Sequence, residues 1–367
     1  MGKYKICVYA ICKNEEQFVD RWMDAVGEAD IVVVSDTGST DHTVKKLRER
    51  GAAVYIDITS PWRFDVARNK AMDHIPEDVD ICVSNDLDEV FEPGWRQKLE
   101  AAWQPKYTRA RYLFTWSYNE DGSPNKQFAM EKVHRRHGFR WVHPVHEVLE
   151  YSGKTPDRTV WVTGMVLNHY PDNSKPRSQY LPLLELSVQE NPNDDRAMFW
   201  LGREYMFYGM HDQCIETLKR HLTLPSAVWD EERSASMRCI AKSYQKKGDN
   251  QQARQWLLRA VAECPHVRDP YLQLAELGYL ENDWPLTFLM VEKGLGITRK
   301  SGSYLHDPYA WGYSFYDLGA ICCYRLALYE KAYQYATMAC EMAPDYKRLK
   351  NNLEMIRLKM VNKERGN

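Results

Sequence analysis

The chain has 367 residues, 44% hydrophobic and 27% charged, with a formal net charge of −2. That length exceeds one ordinary core and predicts two domains. The near-neutral charge excludes a general electrostatic pull toward nucleic acid or an anionic membrane surface. No run reaches the roughly 18 apolar residues of a membrane span, and the first residues enter a strand pattern with no signal-peptide signature. Nine cysteines contain no C-x-x-C pair, which predicts reduced, buried thiols in a cytoplasmic protein.

The first half alternates short apolar runs with helical patterns. Residues 4–11 read as a central strand, followed by Cys12-Lys13-Asn14-Glu15-Glu16 and a helix with Phe18, Trp22 and Val26 on one face. Residues 31–34 (IVVV) form the strongest strand signal. They break at Ser35-Asp36-Thr37-Gly38-Ser39-Thr40-Asp41, where Thr40 or Asp41 could N-cap the next helix. Residues 52–56 are a third strand, 64–75 a helix and 80–84 a fourth strand. Strands separated by helices of this length predict a parallel sheet with helices on both faces, binding ligands at the carboxyl ends of its strands.

At the end of the fourth strand Asp86, Asp88, Glu89 and Glu92 fall within seven residues. Carboxylates so close repel one another, and a divalent cation offsets that repulsion. Mg²⁺ or Mn²⁺ held by one or two carboxylates, with water and substrate phosphates completing the shell, suits an Asp-x-Asp at a strand-to-loop junction. The plainer alternative is a solvated acidic turn. Asp36 could likewise only stabilise its turn, and Glu15 could be an acid favoured by a helix dipole.

The ordered set Ala-Ile-Cys-Lys-Asn-Glu (10–15), Val-Ser-Asp-Thr-Gly-Ser-Thr-Asp-His-Thr (34–43), Ala-Arg-Asn (67–69) and Asp-Leu-Asp-Glu (86–89) resembles family 2 glycosyltransferases of the GT-A fold. The resemblance covers about the first 170–190 residues. It implies an α/β nucleotide-diphospho-sugar transferase domain, a UDP-sugar donor and inverting transfer with Mn²⁺ or Mg²⁺. It also implies that Ala10 and Glu15 line the nucleoside pocket and that Asp36 bonds the base. Arg68 and Asn69 would lie beside the donor, and Asp86, Leu87 and Asp88 would hold ribose and metal. The family often has two acids before Gly-Ser; Ser35-Asp36-Thr37 supplies one, which leaves the base open. Breaking a sugar–phosphate bond leaves charge on a diphosphate, which a metal and a cationic Arg68 would stabilise.

Residues 109–117 and 128–134 read as a hairpin across Asp121-Gly122-Ser123-Pro124. The segment 133–147 follows, with His134, His137, His143 and His146 among its basic residues. Zinc lacks a supporting cysteine or spacing there, and a cationic wall facing a diphosphate or anionic acceptor is the favoured reading. By resemblance to the acceptor-side loop of the family, Glu147 is the candidate general base, with His146 orienting it or contacting donor phosphate. His169, after the apolar run 160–167, would complete the metal shell; imidazole suits Mn²⁺ better than Mg²⁺.

Residues 171–176 read as a linker, and strands then disappear. Trp200-Leu201-Gly202, Tyr205, Gly209, Cys214, Leu218 and Pro225 recur as Ala241, Tyr244, Gly248, Ala253, Leu257, Ala260 and Pro265, with a weaker third copy and a fourth that ends at Pro344. This resembles the tetratricopeptide repeat, an all-α array of helix pairs. Insertions are expected near 226–232 and 299–309, the second leading into an aromatic stretch, 304–316. The expected layout is a transferase domain over 1–172, linker and first helix over 173–192, repeats over 193–345 and a capping helix over 346–367.

The expected protein is a metal-dependent hexosyl- or pentosyltransferase. Its acceptor is a peptide or protein, a glycan or a modified nucleic-acid base, with the repeats holding a macromolecular partner or a second copy in a homodimer. The alternatives are a silent repeat-based adaptor and a nucleotidyltransferase, the latter expected to show a glycine-rich phosphate loop.

Overall fold

The computed structural model describes residues 2–172 and 178–365. Residues 173–177 of the expected linker lie outside them. The chain divides into two compact units, 1–190 and 191–367.

The first unit is built on a mixed eight-stranded sheet. Its strands are β1 (Ile6–Cys12), β2 (Ile31–Asp36), β3 (Ala53–Ile56), β4 (Ile81–Ser84), β5 (Glu89–Phe91), β6 (Arg109–Tyr118), β7 (Pro124–Arg135) and, after the separate hairpin β8 (Phe139–Val142) and β9 (Val148–Tyr151), β10 (Thr159–His169). The sheet order is β3-β2-β1-β4-β7-β6-β10-β5. β3, β2, β1 and β4 make the expected parallel array, and β10 also runs parallel to β6. β7 runs antiparallel to β4, and β5 runs antiparallel to β10. The all-parallel expectation fails because the β6–β7 hairpin and the β10 return fill the far half of the sheet without helical crossovers. In β1, Ile6, Val8, Ala10 and Cys12 face one apolar cluster while Cys7 and Tyr9 face another, so helices and loops cover both faces. The strand order reverses between β1 and β4, and open α/β sheets bind ligands outside the carboxyl ends of strands at such a reversal.

Three helices flank this edge. α1 (Val19–Val26) buries Val19, Trp22, Met23 and Val26, an i, i+3, i+4, i+7 stripe. α2 is Thr43–Glu49. Its N-cap is His42 rather than Thr40 or Asp41, and the Asp41 carboxylate instead accepts from the Thr43 amide at 3.0 Å. α3 (Phe64–Asp73) carries Arg68 and Asn69. α4 (Trp95–Ala102) was not expected from the sequence, and α5 (Tyr180–Glu190) closes the unit.

The second unit contains helix pairs α6 (Asp195–Phe207) with α7 (His211–His221), α8 (Asp230–Lys246) with α9 (Asn250–Glu263), α10 (Asp269–Leu280) with α11 (Trp284–Leu295), and α12 (Ser314–Arg325) with α13 (Tyr329–Met342). α14 (Lys347–Arg365) buries Leu349 and Ile356 at the end of the stack. Small residues sit where paired helices cross. A Cβ on Gly202 would lie 2.4 Å from the Leu218 side chain, and one on Gly319 would lie 2.7 Å from Tyr335, so only glycine admits these approaches.

A buried polar knot ties the 299–309 insertion to this stack. Asp269 at the start of α10 accepts from the Asp307 amide at 2.7 Å and lies 3.0 Å from His306 Nδ1, while Arg238 Nη2 donates to the Leu305 carbonyl at 2.9 Å. Burial lowers the His306 pKa, but Asp269 and Glu231 outweigh it and raise it from 6.5 to about 9. A raised imidazole contributes stability that is whole below the unfolded pKa, near 6.5, and lost as pH climbs through about 9. The contribution is on the order of 3 kcal/mol. Urea unfolding at pH 6 and pH 9.5 should show wild type losing this much more than His306→Gln; equal losses in the two proteins would remove His306 from the account.

Candidate active site

The loops after β1 and β2 lace together at the rim. The Thr40 amide donates to Asn14 Oδ1 at 2.8 Å, the Asn14 amide to Ser39 Oγ at 2.9 Å, and the Glu15 amide to Thr43 Oγ1 at 2.7 Å. Asp36 is fully buried, and its carboxylate closes its own turn by accepting from the Gly38 and Ser39 amides at 3.0 and 2.9 Å, the Ser39 hydroxyl and the Cys12 thiol. Glu15 is half-buried beside this loop, whereas Ala10 and Leu87 have their side chains inside the apolar core.

Beside that lace lies a charge cluster. Arg68, buried on α3, donates through Nη1 and Nη2 to the two oxygens of Asp86 at 2.7 and 2.9 Å and through Nε to Glu147 at 2.5 Å. Lys132 on β7 bridges Asp86 and Glu89 at 3.1 and 3.0 Å. Burial alone would raise the Asp86 pKa, yet Arg68 and Lys132 together hold it far below the carboxylate range. Glu89 moves the other way, because burial, with Asp86 and Asp88 adding to it, outweighs Lys132. Sequence reasoning missed Lys132 as a rim residue, because β7 carries polar and charged residues along most of its length and nothing in its pattern sets this lysine apart.

Asp88 and His169 meet through strand pairing. β5 lies against β10 with His169 opposite Glu89, and the Tyr170 amide donates to the Asp88 carbonyl at 2.8 Å. His169 Nε2 then lies 3.4 Å from Asp88 Oδ2, its Nδ1 lies 3.3 Å from the Trp116 carbonyl, and the Trp116 ring stacks on it at 4.5 Å. Burial depresses the His169 pKa, but Asp88 raises it above the ordinary value.

The donor set of Asp88 and His169 fits a divalent cation. Nδ1 directed at the Trp116 carbonyl is the outer-shell pattern typical of metal-binding histidines, and loss of the proton that Nε2 shares with Asp88 would free both atoms for a cation. Oxygen with imidazole nitrogen suits Mn²⁺ better than Mg²⁺. Asp86 does not fit in the same way, since both its oxygens are held by Arg68 and Lys132.

The acceptor-side segment is held by α3 and by a buried chain. Asn69 spends its amide on the Trp141 backbone, donating and accepting at 2.9 Å each way. Trp141 Nε1 donates to Tyr9 Oη at 2.9 Å, and Tyr9 Oη lies 2.9 Å from His134 Nε2. His134 Nδ1 faces the Arg135 carbonyl at 2.7 Å, so Nε2 is left to accept from Tyr9. Burial lowers the His134 pKa to about 4, so it is neutral. His143 and His146 have φ of 77° and 53°. These are costly values for non-glycine residues, and the bend they make turns Glu147 back onto Arg68.

The expected cationic wall is not at this rim. Arg135 donates to the Pro105 and Tyr107 carbonyls and Arg136 to those of Ile75 and Pro76. Because β7 runs antiparallel to β4, with Arg135 opposite Ile81, these arginines sit at the other end of the sheet.

Residues 7–147 match the family model described as glycosyl transferase family 2. They form a family 2 glycosyltransferase domain. Enzymes of this family use nucleotide-sugar donors. The match spans the β1 to β4 crevice, Arg68, Asp86, Asp88 and Glu147, and ends before His169. The chain also resembles solved helical-repeat structures. One is MamA, with 18% identity, a TM-score of 0.36, and coverage of 46% of this chain and 84% of that one. Another is pilF of Pseudomonas aeruginosa, at 10% and 0.38, covering 48% and 72%. A third is a thermophilic TPR protein of Thermus thermophilus, at 19% and 0.33, covering 49% and 90%. No curated protein matches the chain. Among the described residues, no helix is long and apolar enough to cross a membrane.

Proposed function

We propose that the family 2 domain performs inverting, metal-dependent transfer from a UDP-sugar to a peptide or protein acceptor. The carrying observation is the Asp88–His169 pair, 3.4 Å apart at the carboxyl edge of the sheet. Asp88 and His169 would hold Mn²⁺, which when bound supplies positive charge against the departing diphosphate. Arg68 and Lys132 orient Asp86 toward the donor ribose. Glu147, with a side chain 12% exposed, accepts the proton of the incoming acceptor, and the bend at His146 positions it. Glu15, Asp36 and the 36–43 turn border the nucleoside.

A peptide or protein is favoured over a nucleic-acid base because Arg135 and Arg136 are already engaged by backbone carbonyls. The repeats, over about 193–345 with the cap after them, offer paired helices of the kind that hold extended partners. Nine free cysteines support a reducing, cytoplasmic setting.

UDP with Mn²⁺ at about 100-fold its Kd should stabilise the domain by roughly 2.7 kcal/mol, a Tm rise of about 5–10 °C. Asp88→Ala should abolish the Mn²⁺-dependent part of that rise. An undiminished rise in the variant would take Asp88 out of the metal site.

A further inference from the structure

Metal-ligating side chains converge a second time, within the helix pairs of the second unit. Asp230 opens α8, Cys264 is the C-cap of α9, and His266 lies in the turn before α10. Cys264 Sγ is 3.8 Å from His266 Nδ1. His266 Nδ1 is 3.9 Å from Asp230 Oδ2, and Nε2 is 3.9 Å from Glu231 Oε1. One ligand atom from each of Asp230, Cys264 and His266 lies within 4.8 Å of the others.

Tetrahedral zinc, with bonds of about 2.3 Å to sulfur and 2.0–2.2 Å to nitrogen and oxygen, separates its ligand atoms by roughly 3.4–3.6 Å. The observed spacings need only small side-chain rotations to reach those values. A helix dipole accounts for acids in the first turn of α8. It does not account for a sulfur and an imidazole from the following turn closing onto them.

We propose that Asp230, Cys264 and His266 form a zinc site, with water as the fourth ligand and Glu231 facing the second ring nitrogen of His266. Thiolate with imidazole and carboxylate selects zinc over the hard cations that the first unit would use. The thiol proton leaves to solvent as the metal binds. Entry is open, because the His266 and Asp230 side chains are 57% and 45% exposed, while the sulfur is buried. Asp230 and the Cys264–His266 turn are separated by about one repeat length, roughly 34 residues. The ion therefore ties the start of α8 to the end of its partner α9 and to the turn that leads into α10, where an array otherwise relies on apolar contact.

The test uses the full chain, stripped with chelator and titrated with Co²⁺ and then Zn²⁺. A thiolate-to-cobalt charge-transfer band should appear, be displaced by Zn²⁺, and vanish in both Cys264→Ala and His266→Ala. The exposed His266 ring makes the second variant safe for folding. Asp88→Ala should keep the band, since the first unit's pair contains no sulfur. The proposal is overturned if saturating Co²⁺ gives no thiolate band. It is equally overturned if His266→Ala leaves the band unchanged or Asp88→Ala removes it.

Discussion

Glu147→Gln should bind UDP and Mn²⁺ as wild type does, yet lose at least about 100-fold in kcat, the usual contribution of a positioned general base. The substitution keeps the shape, and the amide oxygen can still accept from Arg68 Nε, which now holds the Glu147 carboxylate at 2.5 Å. Arg68 also keeps its two bonds to Asp86, so the fold around the rim should persist. Single-turnover transfer and nucleotide affinity measured side by side separate the two effects. Transfer at the wild-type rate would reject Glu147 as the base and return it to a purely structural role as Arg68's partner.

Arg68→Ala should be the most damaging substitution for stability in the first unit. It leaves Asp86 and Glu147 in a buried site with no guanidinium between them, and losing one partner of a buried ion pair costs about 3–5 kcal/mol. Lys132 still reaches Asp86 at 3.1 Å, which limits the loss. Arg68→Lys should recover only part of it, because an ammonium cannot make the two-oxygen contact with Asp86.

The pH dependence of that loss follows from Asp86. Its folded pKa is depressed by Arg68 and Lys132 despite burial, so its contribution is present above the unfolded value of about 3.9 and lost as pH falls below it. The gap between wild type and Arg68→Ala should therefore be widest near neutral pH and shrink in acid. Urea unfolding from pH 7 down to pH 3 tests this; a gap that grows in acid would contradict the ion-pair account.

The local elements of the crevice were legible because their signals are short-range. β1 and β2 read as apolar runs, α1 as Phe18, Trp22 and Val26 on one helical face, and the β6–β7 hairpin as two runs across a glycine turn with φ of 80° at Gly122. β5 was not legible. Three residues cannot show a period, and Glu89–Phe91 becomes a strand only because β10 is there to pair with it. Asn69 illustrates the same limit in a side chain. Beside Arg68 in sequence it reads as a donor contact, yet its amide is consumed by the Trp141 backbone 72 residues away.

By itself the sequence determined which residue types stand at the ends of β1, β2 and β4, and that a helical array follows, since spacing and periodicity are properties of neighbours along the chain. Only the tertiary structure decided how those residues are spent. Asp36 is taken by its own turn, Asp86 by Arg68 and Lys132, and Asp88 is left facing His169. The reason is that a carboxylate's partner is fixed by distance in space. In this fold antiparallel pairing of β5 with β10, and of β7 with β4, brings imidazole and ammonium to acids far from them along the chain, as with Lys132 and Glu89, 43 positions apart.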